Sequence, residues 1–387
     1  MTDWLDWPFF EPRHREWAER LEEWCRATIH DAHASDADLA CRALVRELGK
    51  AGFLRLCVAD GDKMPDVRSL AIARATLARV HGLADFAFAM QGLGSGAISL
   101  FGSGRQKAEW LPKVAAGDAI AAYALTEPDT GSDAANIAMR AEQADGPGSG
   151  SGTSWRLTGE KSYISNGTIA DMLTVFARTG SPEDGAKGIS AFIVRADDPG
   201  LSVAERIEVI APHPLARLKF DGVRGDLLGE EGEGFKIAMQ TLNLFRVTVG
   251  AAALGFARRA LDEALAFAAT RKLGNGTLAD NAVTQAKLAE MATSIDASAL
   301  LIARAAWQQD VGKADTRRAA AMAKLHATDE AQKVIDAAVQ MHGGLGVTVG
   351  AKVEELYREI RALRIYEGAS EVQRQIIARD LLKEARS

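Results

Sequence analysis

Apolar residues recur at three- and four-residue spacing over 249–269 and 283–308, with Arg258, Arg259, Asp262 and Glu263 on the opposite side of the first run. That period predicts long amphipathic helices. Runs of the same kind at 13–29, 36–51 and 67–80 predict a helical first part to about residue 115. The middle of the chain reads differently. Short segments rich in β-branched and aromatic residues at 120–125, 155–158, 172–178 and 189–195 predict strands separated by Gly- and Pro-bearing turns. The most open of these, Gly146-Pro-Gly-Ser-Gly-Ser-Gly152, reads as a solvated hairpin tip. All ten prolines lie at or before Pro214, and the remainder is rich in Ala, Leu, Glu, Lys and Arg, as long unbroken helices require. Glycines at 274–276 and 343–350 mark turns in that half. The pattern predicts an α+β, mainly helical chain: a helical domain over 1–118, a small β domain over 119–225 and a helical domain over 226–387.

Composition narrows the class without naming a chemistry. A chain of 387 residues with 47% hydrophobic and 25% charged residues suits a soluble globular protein of several domains. A net charge of −6 gives no basic footprint for nucleic acid and no polybasic membrane anchor. Cys25, Cys41 and Cys57 are odd in number and lack metal-ligand spacing, which suits a reducing cytoplasm. The acidic, proline-containing N-terminus does not read as a secretory or transit signal.

Familiar nucleotide signatures are missing. Gly344-Leu-Gly-Val-Thr-Val-Gly350 faintly resembles a dinucleotide fingerprint, but the segment before it continues a helical run and supplies no strand. Three other segments carry candidate chemistry. Tyr123-Ala-Leu-Thr-Glu-Pro-Asp-Thr-Gly-Ser-Asp133 runs from a strand into a turn whose N–H groups and hydroxyls suit polar ligand atoms. Gly159-Glu-Lys-Ser-Tyr-Ile-Ser-Asn-Gly167 sets aromatic Tyr163 beside Ser165, a pairing suited to a flat heteroaromatic ring. In Leu363-Arg-Ile-Tyr-Glu-Gly-Ala-Ser-Glu-Val-Gln373, Ser370 and Gln373 read as a capping box that starts a helix running to about Glu384. Glu367 then lies just ahead of a helix N-terminus, where shielding from water would raise its pKa and suit it to general-base work. A solvated loop glutamate and an ordinary strand-exit turn are the plainer readings of these features.

Taken in order along nearly the whole chain, the segments resemble the acyl-CoA dehydrogenase family. The resemblance is carried by Thr126-Glu-Pro leading to Gly131-Ser-Asp133, by 161–167, by Gln340-Met-His-Gly-Gly-Leu-Gly346 and by Tyr366-Glu-Gly-Ala-Ser370. Phe101-Gly102, Gln106-Lys107 and Leu111-Pro112 add to it. The resemblance implies a β-barrel middle domain, a C-terminal four-helix bundle, and FAD at a subunit interface of a homotetramer or homodimer. It also implies that Tyr123, Leu125, Thr126, Gly131 and Ser132 meet the flavin on one side and Tyr163, Ile164 and Ser165 on the other. Arg271, Gln340, Gly343 and Gly344 would reach the rest of the cofactor, and Ala369 and Glu371 would hold it beside the base. Ser132, Asn243, Arg246, Tyr366 and Gly368 would contact an acyl-CoA substrate, with Glu367 the catalytic base. No metal is implied. The implied partner is an electron-transfer flavoprotein; the alternative on the same fold is an oxidase or flavin monooxygenase using oxygen. Retention of Glu367 favours α,β-dehydrogenation, and Phe245 cannot supply the alternative base that some subfamilies place before the bundle arginine. The chain departs from the family pattern at Tyr163, Asn243 and Ala369, and after Arg271, where Lys-Leu-Gly274 lacks the usual phenylalanine.

Overall fold

In the computed structural model the structure describes residues 3–29, 36–61, 63–147, 153–312 and 315–386. The helices run α1 Pro12–Thr28, α2 Ala37–Lys50, α3 Val67–Val80, α4 Gly82–Phe101, α5 Gly104–Ala116, α6 Gly234–Thr270, α7 Ala282–Asp310, α8 Arg317–His342, α9 Lys352–Leu363 and α10 Ser370–Glu384. Between α5 and α6 lie the strands β1 Ala121–Ala124, β2 Arg140–Pro147, β3 Thr153–Ser165, β4 Met172–Arg178, β5 Ile189–Arg195, β6 Leu201–Arg206 and β7 Leu215–Leu228. The helix, strand, helix order predicted from the sequence holds. Two compact units result, one of residues 1–32, 66–85 and 245–387 and the other of residues 33–65 and 86–244.

Local chemistry explains the boundaries. The Asp36 carboxylate accepts from Asp38 N (2.9 Å) and Leu39 N (3.1 Å) and starts α2. Ser103 and Gln106 form the reciprocal box that opens α5, and Gly117 at φ 75° closes it in the left-handed region. Asn281 accepts from Val283 N (2.9 Å) and Thr284 N (3.3 Å) to cap α7, and Gln285 donates to the Ala279 carbonyl. The orphan amides at the start of α3 find a partner far away in sequence: Asp310, the last residue of α7, accepts from Val67 N (2.8 Å) and Arg68 N (3.1 Å).

In the helical unit, buried Ala299, Ile302, Ala303 and Ala306 on α7 accompany buried Ala320, Ala323, Ala327 and Ala331 on α8. Such small residues let neighbouring helix backbones approach closely. α6 is long and apolar enough by composition to cross a membrane, yet 72% of its most apolar window is buried inside the fold, as in a core helix.

In the other unit the strands close on themselves. β4 pairs β5, β5 pairs β7, β7 pairs β3, β3 pairs β2, and β2 returns to β4 through Arg140 and Arg178. β1 adds in parallel to β4 and β6 adds to β7. Trp155, Leu157, Ile164, Val175, Phe192, Leu218 and Phe220 fill the interior. β2 and β3 pair antiparallel, and the expected hairpin tip at 146–152 lies, from residue 148 to 152, outside the described residues. Three strands escape the sequence pattern. β7, paired with β3, β5 and β6, reads Leu-Ala-Arg-Leu-Lys-Phe-Asp-Gly-Val-Arg-Gly-Asp-Leu-Leu and sets buried positions among mostly half-buried ones, so its charges and glycines mask it. β2 and β6 are equally rich in polar residues.

Gly94 marks where α4 meets β1. A Cβ added there would stand 2.7 Å from the Ala121 Cβ and 2.8 Å from the backbone on either side of that peptide bond. Gly94→Ala is expected to cost about 1–3 kcal/mol of stability through overpacking. A urea unfolding midpoint equal to that of the wild type would show that the helix moves aside freely.

Candidate active site

Glu367 lies between α9 and α10 with φ 51°, in the left-handed region, and Gly368 follows at φ 89°. Among the described residues Tyr163 (φ 55°), Asn166 (φ 61°) and Glu367 are the non-glycine positions held there. Such backbone conformations cost of order 1–3 kcal/mol each and persist where the surroundings over-determine them. At Gly368 the left-handed φ favours glycine, and a Cβ would come within 2.5 Å of Gln373 Nε2, the far end of a side chain that would have to shift.

The Glu367 carboxylate is half-buried, and its Oε2 has no hydrogen-bond partner among the described residues. Burial pushes its pKa up, while the positive charges of Arg74, Lys324 and Arg246 oppose the rise and the negative charge of Asp85 adds to it. Arg74 itself is buried and clasped by Asp85, Nε to Oδ1 at 2.9 Å and Nη2 to Oδ2 at 2.8 Å, with Nη1 donating to Thr248 Oγ1 at 3.2 Å. Burial also raises the Tyr366 phenol, against the pull of Arg74. Lys324, fully buried on α8, donates from Nζ to the Gly368 carbonyl at 2.8 Å.

The predicted start of α10 is correct, but not its cause. Ala369 is the N-cap and Ser370 the first helical residue, and neither side chain of the expected capping box reaches the backbone donors. Ser370 Oγ instead donates to Asp329 Oδ1 at 2.9 Å, and Gln373 Nε2 donates to the Gly368 carbonyl at 2.7 Å. Asp329 on α8 also accepts from Arg364 Nε (2.8 Å) and Arg374 Nη2 (2.9 Å), so the Ser370 hydroxyl joins a carboxylate already held by two guanidinium groups. The sequence reading missed Lys324, Arg74 and Asp85. The only local signal for Lys324 was a lone lysine on the α8 face that carries buried Ala320, Ala327, Thr328 and Ala331.

In the other unit, β1 leads into the turn that holds Thr126, Gly131 and Ser132. Glu127 and Thr130 exchange backbone hydrogen bonds at 3.0 and 3.2 Å. Beneath them Lys161 of β3 is wholly buried and donates to the Leu125 carbonyl (2.9 Å) and Glu127 Oε1 (2.8 Å). Glu127 accepts in addition from Ala138 N at 2.6 Å and Met139 N at 3.0 Å. Burial lowers the Lys161 pKa to about 8 against the pull of Glu127. Ser162 N donates to the Thr126 carbonyl at 2.9 Å and ties the two expected flavin-facing segments together. Tyr163 is 61% exposed, so its ring is presented outward, while Ile164 is buried in the strand core and leaves only its backbone for a ligand. Ser165 is half-buried, Ser132 exposed and Leu125 buried. Tyr123 is half-buried and donates to the Ala238 carbonyl at 3.2 Å.

The remaining expected contacts are distributed along the helices. Arg271, Gln340, Gly343, Gly344 and Glu371 are exposed, Ala369 and Asn243 are half-buried, and Arg246 is buried. Gly343–Val347 forms a 3-10 helix directly after α8, with no strand before it, so the glycines here are not a dinucleotide fingerprint. At Gly131, Gly343 and Gly344 an added Cβ would meet nothing within 4 Å. Backbone at these glycines is open to a ligand. Within the strand-bearing unit, the exposed Tyr163 ring with the Ser132 and Ser165 hydroxyls suits a flat heteroaromatic ring such as a flavin.

Comparison with known proteins agrees. Acyl-CoA dehydrogenase N-terminal, middle and C-terminal domains match residues 11–118, 122–223 and 232–382. A probable acyl-CoA dehydrogenase of Mycobacterium leprae is 37% identical over 361 residues, 91% of each chain. Butyryl-CoA dehydrogenase of Megasphaera elsdenii superimposes with a TM-score of 0.87 at 29% identity, over 96% of this chain and 99% of that one. Glutaryl-CoA dehydrogenase of Mycobacterium smegmatis, solved in complex with FADH2, gives 0.86 at 27% identity over 96% and 95%. With all three domains matched and the similarity running nearly end to end, the chain belongs to the acyl-CoA dehydrogenase family of FAD-dependent oxidoreductases.

Proposed function

We propose that the chain converts an acyl-CoA thioester to its α,β-enoyl-CoA, with Glu367 removing the α-proton. The observation that carries this reading is the Glu367 carboxylate itself: strained into place at φ 51°, shielded, with Oε2 unpartnered and three cations close enough to act on it. A base that must accept a proton from carbon needs a free lone pair and a pKa lifted toward working pH. Burial lifts it; Arg74, Lys324 and Arg246 keep the ionised form accessible. Since only the carboxylate form accepts a proton, activity falls as pH drops through the Glu367 pKa.

Following the family resemblance, Thr126, Gly131, Ser132, Tyr163 and Ser165 would meet the flavin ring, and Arg271, Gln340, Gly343, Gly344, Ala369 and Glu371 are the family positions for the rest of an FAD. FAD, when bound, supplies the two-electron acceptor that takes the β-hydrogen as hydride. The Glu367 backbone N–H would donate to the thioester carbonyl and so acidify the α-carbon, and Arg246, Asn243, Tyr366 and Gly368 would shape the substrate site. An electron-transfer flavoprotein is the proposed acceptor of the electrons. Exposed Leu345, Val347 and Val349, at 53%, 70% and 84%, support a homo-oligomer in which another copy covers this run.

The test is anaerobic titration of the FAD-loaded protein with short, branched, aromatic and long acyl-CoAs, read at the flavin band near about 450 nm. Bleaching by one class identifies the substrate, and slow recolouring on admitting air separates a dehydrogenase from an oxidase. No bleaching by any thioester sinks the reading.

A further inference from the structure

We infer that Lys324 is a positioning residue for the proton transfer, holding the Glu367–Gly368 turn from α8 and presenting a positive charge to the base. The inference rests on Glu367 being that base. The Gly368 carbonyl accepts from two buried side chains on different helices, Lys324 Nζ at 2.8 Å and Gln373 Nε2 at 2.7 Å. One turn further along α8, Asp329 grips the other side of the same turn through Ser370 and Arg364. A left-handed glutamate followed by a left-handed glycine has little intrinsic preference for its native shape, so these clamps determine where the carboxylate points. Lys324 is fully buried, and burial lowers its pKa to about 8. Committing a buried ammonium to one neutral carbonyl is costly unless its charge acts on something else. What it faces is Glu367 first, then Arg246, Asp329 and Glu371. Glu367 in turn is faced by Arg74 from α3, Asp85 from α4, Arg246 from α6 and Lys324 from α8.

Lys324 and Gln373 therefore share one mechanical task, and Lys324 alone adds charge. Three FAD-loaded variants separate the two: Lys324→Met, Lys324→Arg and Gln373→Leu, each measured for thermal stability, flavin content and the pH profile of kcat/KM. Lys324→Met is expected to lower kcat by about 10–100-fold with little change in KM, because a misplaced base loses rate and not affinity. It is also expected to move the acid limb up by about one pH unit, because an opposite charge has been taken from the carboxylate. Lys324→Arg keeps the limb in place, and Gln373→Leu lowers kcat without moving it. Should Lys324→Met fail to fold, Lys324→Gln removes the same charge and must show the same upward limb. An acid limb identical to the wild type's in the charge-removing variant, with rate lost only in proportion to lost flavin or stability, overturns the inference. Glu367→Gln run alongside distinguishes the two claims: if that variant keeps its rate, Glu367 is not the base and the failure lies there, whatever Lys324 does.

Discussion

Glu367→Gln is expected to lower kcat/KM by about 10²–10⁴-fold, the range a positioned general base contributes. The substitution is isosteric. It keeps the φ 51° backbone requirement unchanged and places an amide where the carboxylate had no hydrogen-bond partner at Oε2. Folding and flavin content should therefore stay near wild type while the proton acceptor is gone. Removing a raised-pKa carboxylate also removes the acid limb of the pH profile, because the limb reports that group's ionisation. Stopped-flow reduction of the flavin by the preferred acyl-CoA is the measurement. A variant that still bleaches at the wild-type rate would move the base to another residue.

Lys161→Met should produce the largest loss of stability. Lys161 is wholly buried, Glu127 nearly so, and they pair at 2.8 Å. Removing one partner of a buried pair leaves the other charged and uncompensated, at a cost of about 3–5 kcal/mol. The loss also has a functional address. Glu127 holds Ala138 N and Met139 N, and Lys161 holds the Leu125 carbonyl, so the pair anchors both ends of the turn that carries Thr126, Gly131 and Ser132. Purified Lys161→Met is expected to unfold at lower urea and to be colourless or nearly so. The double variant with Glu127→Gln should be more stable than additivity predicts, since the stranded carboxylate has been neutralised. Equal urea midpoints and equal flavin content in Lys161→Met and wild type would show that the turn is held by other contacts.

Wherever the chemistry is local, the chain is readable without its fold. Proline, confined to residues up to 214, and the three- and four-residue apolar spacing beyond it announce long helices, because a helix reports its buried face within a few residues. The start of α10 is legible too, and so is the position of Glu367 just before it. The strands are less so: β7 hides among charges because a strand paired on both edges is specified by partners such as Val223 against Leu157, and not by its neighbours in sequence.

The sequence by itself determined the helix, strand, helix order, the two motif turns and the glutamate between α9 and α10. Only the tertiary structure decided what holds them. Glu127 meets Lys161 across 34 residues and Lys324 meets Gly368 across 44, and a buried charge has no local signature until its partner is known. Ser370 shows the same limit from the other side. Its spacing to Gln373 promised a capping box, but the helix takes Ala369 as its N-cap, which leaves the Ser370 hydroxyl inside the first turn, where it donates to Asp329, 41 residues upstream.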